Sequence, residues 1–139
     1  MELPRPLLVA VLLTLVLTTL ATACGSNASS EPVRSYAVPL QIDDSGDQYK
    51  YVASGDIPDF TVGDEVTFVV QNTGHLDHDL AVLAPSGDVA GTAPAVSPGQ
   101  TLELTVLLDA EGLWRLDCNV DDHLTRHKMQ TLIQVAPAT

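Results

Sequence analysis

The chain is poor in positive charge. Its 139 residues hold six Lys and Arg against eighteen Asp and Glu, a formal net charge of −12. Only two lysines occur, Lys50 and Lys128, against thirteen aspartates. A nucleic-acid partner is excluded on this ground, because phosphate binding needs a basic footprint. The same charge favours solubility and steering toward a basic partner. Aromatic residues are scarce at 4%. Long helical periods are missing as well. There are two cysteines, Cys24 and Cys118, and two methionines, one of them the initiator. An exported chain with two cysteines ordinarily suggests one disulfide. Here each cysteine has a better use, and no disulfide is expected.

One long apolar run is present, from Leu7 to Ala21, which is 15 residues. That is shorter than the ~20 residues a spanning helix needs. It fits the apolar core of a secretion signal, with Arg5 ahead of it. The run ends in Leu20-Ala21-Thr22-Ala23-Cys24-Gly25-Ser26. Small residues before a cysteine, then Gly-Ser, resemble a bacterial lipobox. The resemblance implies cleavage before Cys24 and lipidation of its sulfur, hence an extracytoplasmic protein anchored to the cell membrane. Two or three acyl chains hold a protein on a membrane where one would not. Residues 1–23 therefore read as a signal peptide. Residues 24–35 read as the lipidated N-terminus and a flexible tether, being small and polar. Removing 1–23 takes away one acid and one base, Glu2 and Arg5, so the charge stays at −12.

Residues 36–139 read as one domain. Short apolar runs alternate with Gly, Pro and Asp turns. The runs are Tyr36–Ile42, Gln48–Ala53, Glu65–Gln71, Asp79–Leu83, Thr101–Leu108, Leu113–Cys118 and Gln130–Val135. Seven short strands so punctuated predict an all-β Greek-key sandwich or barrel. Leu102-Glu103-Leu104-Thr105-Val106 shows the alternation of a half-buried strand.

The chemistry lies near the C-terminus. A strand ends in Cys118, His123 follows five residues on, and Met129 eleven residues on. One loop thus offers a thiolate, an imidazole and a thioether, which are soft ligands suited to copper. A second imidazole is available upstream, where His78 opens a strand with Leu80 and Val82 on one face. His75 lies in the preceding turn and is less well directed. His75 and His127 are expected at the surface, and Trp114 in the core. Asp117, Asp121 and Asp122 form an acidic group in the ligand loop. Charge there would steer a basic redox partner.

In these residues the chain resembles a cupredoxin, over roughly Tyr36 to Val135. Asn72 through Val82 is similar to the family's Asn-containing turn followed by a ligand His and a strand. Trp114, Cys118, His123 and Met129 match the family's closing order. The wording around Cys118 is similar to the blue-copper domains of multicopper oxidases. The resemblance implies one copper ion held by His78, Cys118 and His123, with Met129 axial. Cys118 is flanked by Asp117 and Asn119, where those oxidases place histidines for a trinuclear cluster. No such cluster, and no enzyme activity, is therefore expected. The gap between His123 and Met129 is longer than is usual in the family. Asp79 stands where Asn is common, and can still tie the two ligand loops together.

The expected function is that of a monomeric, mononuclear type 1 copper protein carrying single electrons between extracytoplasmic redox partners with basic docking surfaces. The alternative is a copper-handling lipoprotein, a chaperone or scavenger. Such carriers usually rely on Met-rich or His-rich sites, which this sequence lacks.

Overall fold

The computed structural model describes residues 32–138. The signal peptide, Cys24 and most of the tether lie outside the described residues. No helix among the described residues is long and apolar enough to cross a membrane.

Among the described residues, nine strands form two sheets. They are β1 (Ser35–Asp43), β2 (Lys50–Ala53), β3 (Phe60–Thr61), β4 (Glu65–Gln71), β5 (His78–Leu83), β6 (Val89–Val96), β7 (Thr101–Leu107), β8 (Gly112–Asp117) and β9 (Gln130–Ala136). One sheet has the order β2-β1-β4-β7, the other β3-β9-β8-β5-β6. Alternation decides which face turns inward. Val38, Leu40 and Ile42 of β1, Val66, Phe68 and Val70 of β4, and Leu102 and Val106 of β7 are buried. Leu80 and Val82 of β5, Trp114 and Leu116 of β8, and Ile133 and Val135 of β9 join them in one core. The all-β sandwich expected from the sequence is thus present.

Two strands escape the sequence pattern. β3 is only two residues long. β6 carries Gly91 and Pro94 and pairs with β5 alone, at the sheet edge. Edge strands tolerate proline because one side needs no hydrogen bonds. Gly91 has a packing reason, since a Cβ there would lie 3.1 Å from both Leu104 and Val106 side chains. Glycine lets the two sheets close at that point.

The topology sets up one end of the sandwich. β1 and β4 run parallel, with Gln41 beside Gln71. Their C-terminal turns therefore emerge side by side. β5 and β8 are antiparallel, with Ala81 opposite Asp117, and β9 begins opposite Asp117. The start of β5, the end of β8 and the start of β9 thus meet at one end.

Candidate metal centre

His78 opens β5, Cys118 directly follows β8, and His123 lies in the loop between β8 and β9. Their donor atoms all lie within 4.8 Å of one another, and all three side chains are buried. Cys118 Sγ is 3.7 Å from His78 Nδ1 and 3.5 Å from His123 Nδ1. Metal bonds of about 2.0 Å to nitrogen and about 2.3 Å to sulfur, opened to 110–120°, separate N from S by about 3.5–3.7 Å. Both sulfur-to-nitrogen distances therefore already match the spacing a trigonal or tetrahedral ion requires. A thiol with two imidazoles is also a donor set suited to a soft or borderline metal.

Met129 is fully buried. Its backbone N–H donates to the His123 carbonyl at 3.0 Å, and its carbonyl accepts from the Cys118 N–H at 3.2 Å. The long gap from His123 is absorbed by a helical turn, in which Arg126 N–H donates to the Asp122 carbonyl at 2.8 Å. Asp121 and Lys128 take positive φ values of 45° and 54° at the two bends. Thr125 and Arg126 in this turn are exposed, and Met129 returns to the backbones of His123 and Cys118. Asp79 also takes the role foreseen for it, its Oδ1 accepting the Asn119 N–H at 2.7 Å.

The side chain missed by sequence reasoning is Asp44. Its carboxylate is 1% exposed, and Oδ2 lies 3.1 Å from His78 Nε2. With Nε2–H donating to this acceptor, Nδ1 keeps a lone pair directed toward Cys118. Asp44 also accepts the backbone N–H groups of His75 at 2.7 Å and Leu76 at 3.0 Å. His75 Nδ1 sits 3.0 Å from its other oxygen. Burial pushes this carboxyl up, but the hydrogen bonds from His75, His78 and Leu76 outweigh it and hold it well below the usual range. No local signal marks Asp44, one of three aspartates in the turn Asp43-Asp44-Ser45-Gly46-Asp47.

Asn72 shapes the facing turn. Its Nδ2 donates to the carbonyls of Leu76 and Val96, both at 2.8 Å, and its Oδ1 accepts from Gly74 N–H at 3.0 Å. A Cβ on Gly74 would fall 2.4 Å from Asp44 Oδ2. Gly74→Ala is therefore expected to displace the carboxylate and destabilise the protein by about 1–3 kcal/mol. Chemical denaturation of the metal-free protein measures this. An unchanged midpoint would mean that the turn gives way freely.

Burial pushes the Cys118 thiol up to about 11, partly countered by hydrogen bonds from the Val120 and Asp79 backbones. Burial, then the neighbouring His78, holds His123 below its ordinary value. Both shifts favour the uncharged form of each group in the metal-free centre. Tyr49 covers it, edge-on to His78 and His123 with ring centroids 6.0 and 5.1 Å away.

Three surface expectations sort differently. His75 is exposed as expected, at 82% of its side chain, although its ring touches Asp44. His127 is not a free surface residue. It stacks on Tyr49 at 4.0 Å with the rings parallel, and its Nδ1 faces the Asp47 carbonyl at 3.1 Å. Asp117 leaves the acidic rim, being buried at the end of β8 and paired with Arg115 at 2.9 Å. Asp121 and Asp122 remain exposed beside His123. Trp114 is in the core as expected, its Nε1–H donating to the Ala110 carbonyl at 2.9 Å.

This end of a β-sandwich, with a Cys and two His gathered beneath its loops, defines the class: the fold is the cupredoxin fold. Solved structures place it there. The blue copper oxidase of Nitrosomonas europaea superimposes with a TM-score of 0.56 and 23% identity, over 76% of this chain and 40% of that one. Auracyanin A, a "blue" copper protein of Chloroflexus aurantiacus, gives 0.53 and 17%, over 71% of this chain and 98% of that one. Rusticyanin of Thiobacillus ferrooxidans gives 0.56 and 14%, over 73% and 77%. The chain thus spans two-fifths of the oxidase but nearly all of auracyanin A. No protein-family model and no curated protein sequence matches it.

Proposed function

We propose that this chain is a mononuclear type 1 copper protein that carries single electrons between extracytoplasmic partners. The observation that carries the reading is the buried thiol-and-two-imidazole cluster, with both imidazoles at metal-ligand spacing from the thiol. His78, Cys118 and His123 would hold the ion, with Met129 as a further ligand. Copper, when bound, supplies a one-electron couple. The protein's part is to keep the ligand set the same in both oxidation states. Asp44 fixes His78, Asp79 ties the Cys118 loop to β5, and the Met129 backbone bridges Cys118 and His123. Such outer-shell bonds orient ligands and tune a metal.

Burial favours electron carriage over ion carriage. His123 is the most open of the three ligands, at 4%. An ion passed between proteins needs a ligand-exchange path, whereas an electron does not. Copper should therefore leave slowly, over hours, when the copper(I) protein is mixed with excess chelator. Release within seconds would favour the copper-handling alternative.

The exposed Asp121 and Asp122 beside His123 suit a partner with a basic docking surface. Its association rate should fall steeply with salt. A flat salt dependence would remove the acidic rim from the account. A lipid on Cys24 would keep the domain at the membrane face, where partners are concentrated; metabolic labelling with a fatty acid, lost in Cys24→Ala, tests this.

Metal affinity should depend on pH in a definite sense. Ligation requires the thiolate, and the free thiol sits at about 11. Each ion bound below that pH displaces one proton, so affinity should rise about tenfold per pH unit. His123 adds a second competing proton only on the acid side, because its own value is lowered. Competition titrations against a copper chelator, from about pH 6 to about pH 9, measure the slope. A slope of zero would mean that Cys118 is not a ligand.

A further inference from the structure

The ligand set does not account for Asp44. This is a carboxylate from another sheet, enclosed to 1% exposure, with one oxygen on the outer nitrogen of His78. The chain builds a seat for it. Two backbone N–H groups, of His75 and Leu76, hold Oδ2 at 2.7 and 3.0 Å. Gly74 leaves the space a Cβ would fill. Thr73 Oγ1 donates to the Ile42 carbonyl at 2.8 Å, which pins the two turns together. The parallel pairing of β1 with β4 delivers both turns to the same place.

We propose that Asp44 is a positioning residue that acts through His78 to lower the reduction potential of the centre. The inference rests on the copper reading above. Its physical basis is simple. A negative charge hydrogen-bonded to a ligand imidazole raises that ligand's basicity. It also interacts more favourably with the higher-charged, oxidised ion than with the reduced one. With the carboxylate enclosed away from bulk water, this difference is screened less than at an open surface. The same bond fixes the tautomer, Nε2–H on Asp44 and Nδ1 toward Cys118.

Asp44→Asn separates charge from positioning. The asparagine Oδ1 can stand in for Asp44 Oδ2 and accept from His75 N–H, Leu76 N–H and His78 Nε2–H. Its amide then faces His75 Nδ1, which can accept. The ring orientation is kept while the charge is lost.

The test is voltammetry of the copper-loaded full chain, wild type against Asp44→Asn and His75→Ala, with absorption and EPR spectra of each. In Asp44→Asn the blue spectrum is retained. At a fixed potential, its ratio of reduced to oxidised centre rises about tenfold, equivalent to about 59 mV upward. His75→Ala, which leaves the carboxylate on His78, shifts that ratio less than about threefold. A purely structural Asp44 predicts no potential change in Asp44→Asn with the spectrum retained, and that result overturns the proposal. A wild-type protein with no blue spectrum overturns the copper reading itself, and this inference with it. Should Asp44→Asn not fold, NMR of the reduced native protein decides. An exchange-protected, strongly downfield Nε2–H on His78 supports the carboxylate bond, and a rapidly exchanging one overturns it.

Discussion

Replacing Cys118 by serine is expected to lower copper(I) affinity by more than about 100-fold, beyond the 10–100-fold typical of outer-shell partners. The thiol is the only sulfur among the three clustered donors, and both imidazoles face it, at 3.7 and 3.5 Å. A hydroxyl is a hard, weak donor that stays protonated at neutral pH, so the centre would keep two imidazoles and lose its anionic ligand. The substitution is close to isosteric, so the sandwich should survive it and far-UV circular dichroism should be unchanged. Competition against a copper(I) chelator reads the affinity. A loss of less than tenfold would mean that the ion sits elsewhere.

The second large effect concerns Trp114, the bulkiest of the fully buried side chains. It lies in the middle of β8 and fills the space between the sheets, with its Nε1–H satisfied by the Ala110 carbonyl. Trp114→Ala removes the ring and leaves a cavity in a rigid β core. The expected loss is about 3–5 kcal/mol. A domain of this size is stable by only about 5–15 kcal/mol in total. The melting temperature should therefore fall on the order of 20 °C. β8 also carries the chain to Cys118, four residues on, so metal binding should weaken as well. A melting temperature within a few degrees of wild type would mean that the core refills the space.

Those two residues show which parts of the account a sequence can carry. Cys118, His123 and Met129 lie on one short loop, and their order is visible without a fold. His78 is visible because it opens an alternating strand. Trp114 is legible as an inward residue of β8. Asp44 is not, because its link to His78 spans 34 positions and arises only from the parallel pairing of β1 and β4. The turn around it offers three aspartates, and only tertiary placement selects one.

Similar reasons cover the other misses. β6 has no clear alternation, because its glycine and proline serve sheet closure and an edge position. His127 is a polar loop residue by composition, yet the helical turn after Asp122 lays its ring flat on Tyr49. Asp117 sits in an acidic string with Asp121 and Asp122, but it is the last residue of a central strand and turns under Arg115. In each case placement in the folded sheets and turns overrode the local expectation. The longer gap before Met129 is the opposite case. It is plain in the sequence, and the structure shows how a helical turn absorbs it.

The central claim is a copper–thiolate centre built from His78, Cys118 and His123. The most direct test is the absorption and EPR spectrum of the full chain loaded with one equivalent of copper(II). The account predicts an intense blue absorption and an EPR signal with narrow hyperfine splitting, both marks of a thiolate bound in a trigonal site. A pale solution with a broad tetragonal signal, unchanged in Cys118→Ser, would contradict it.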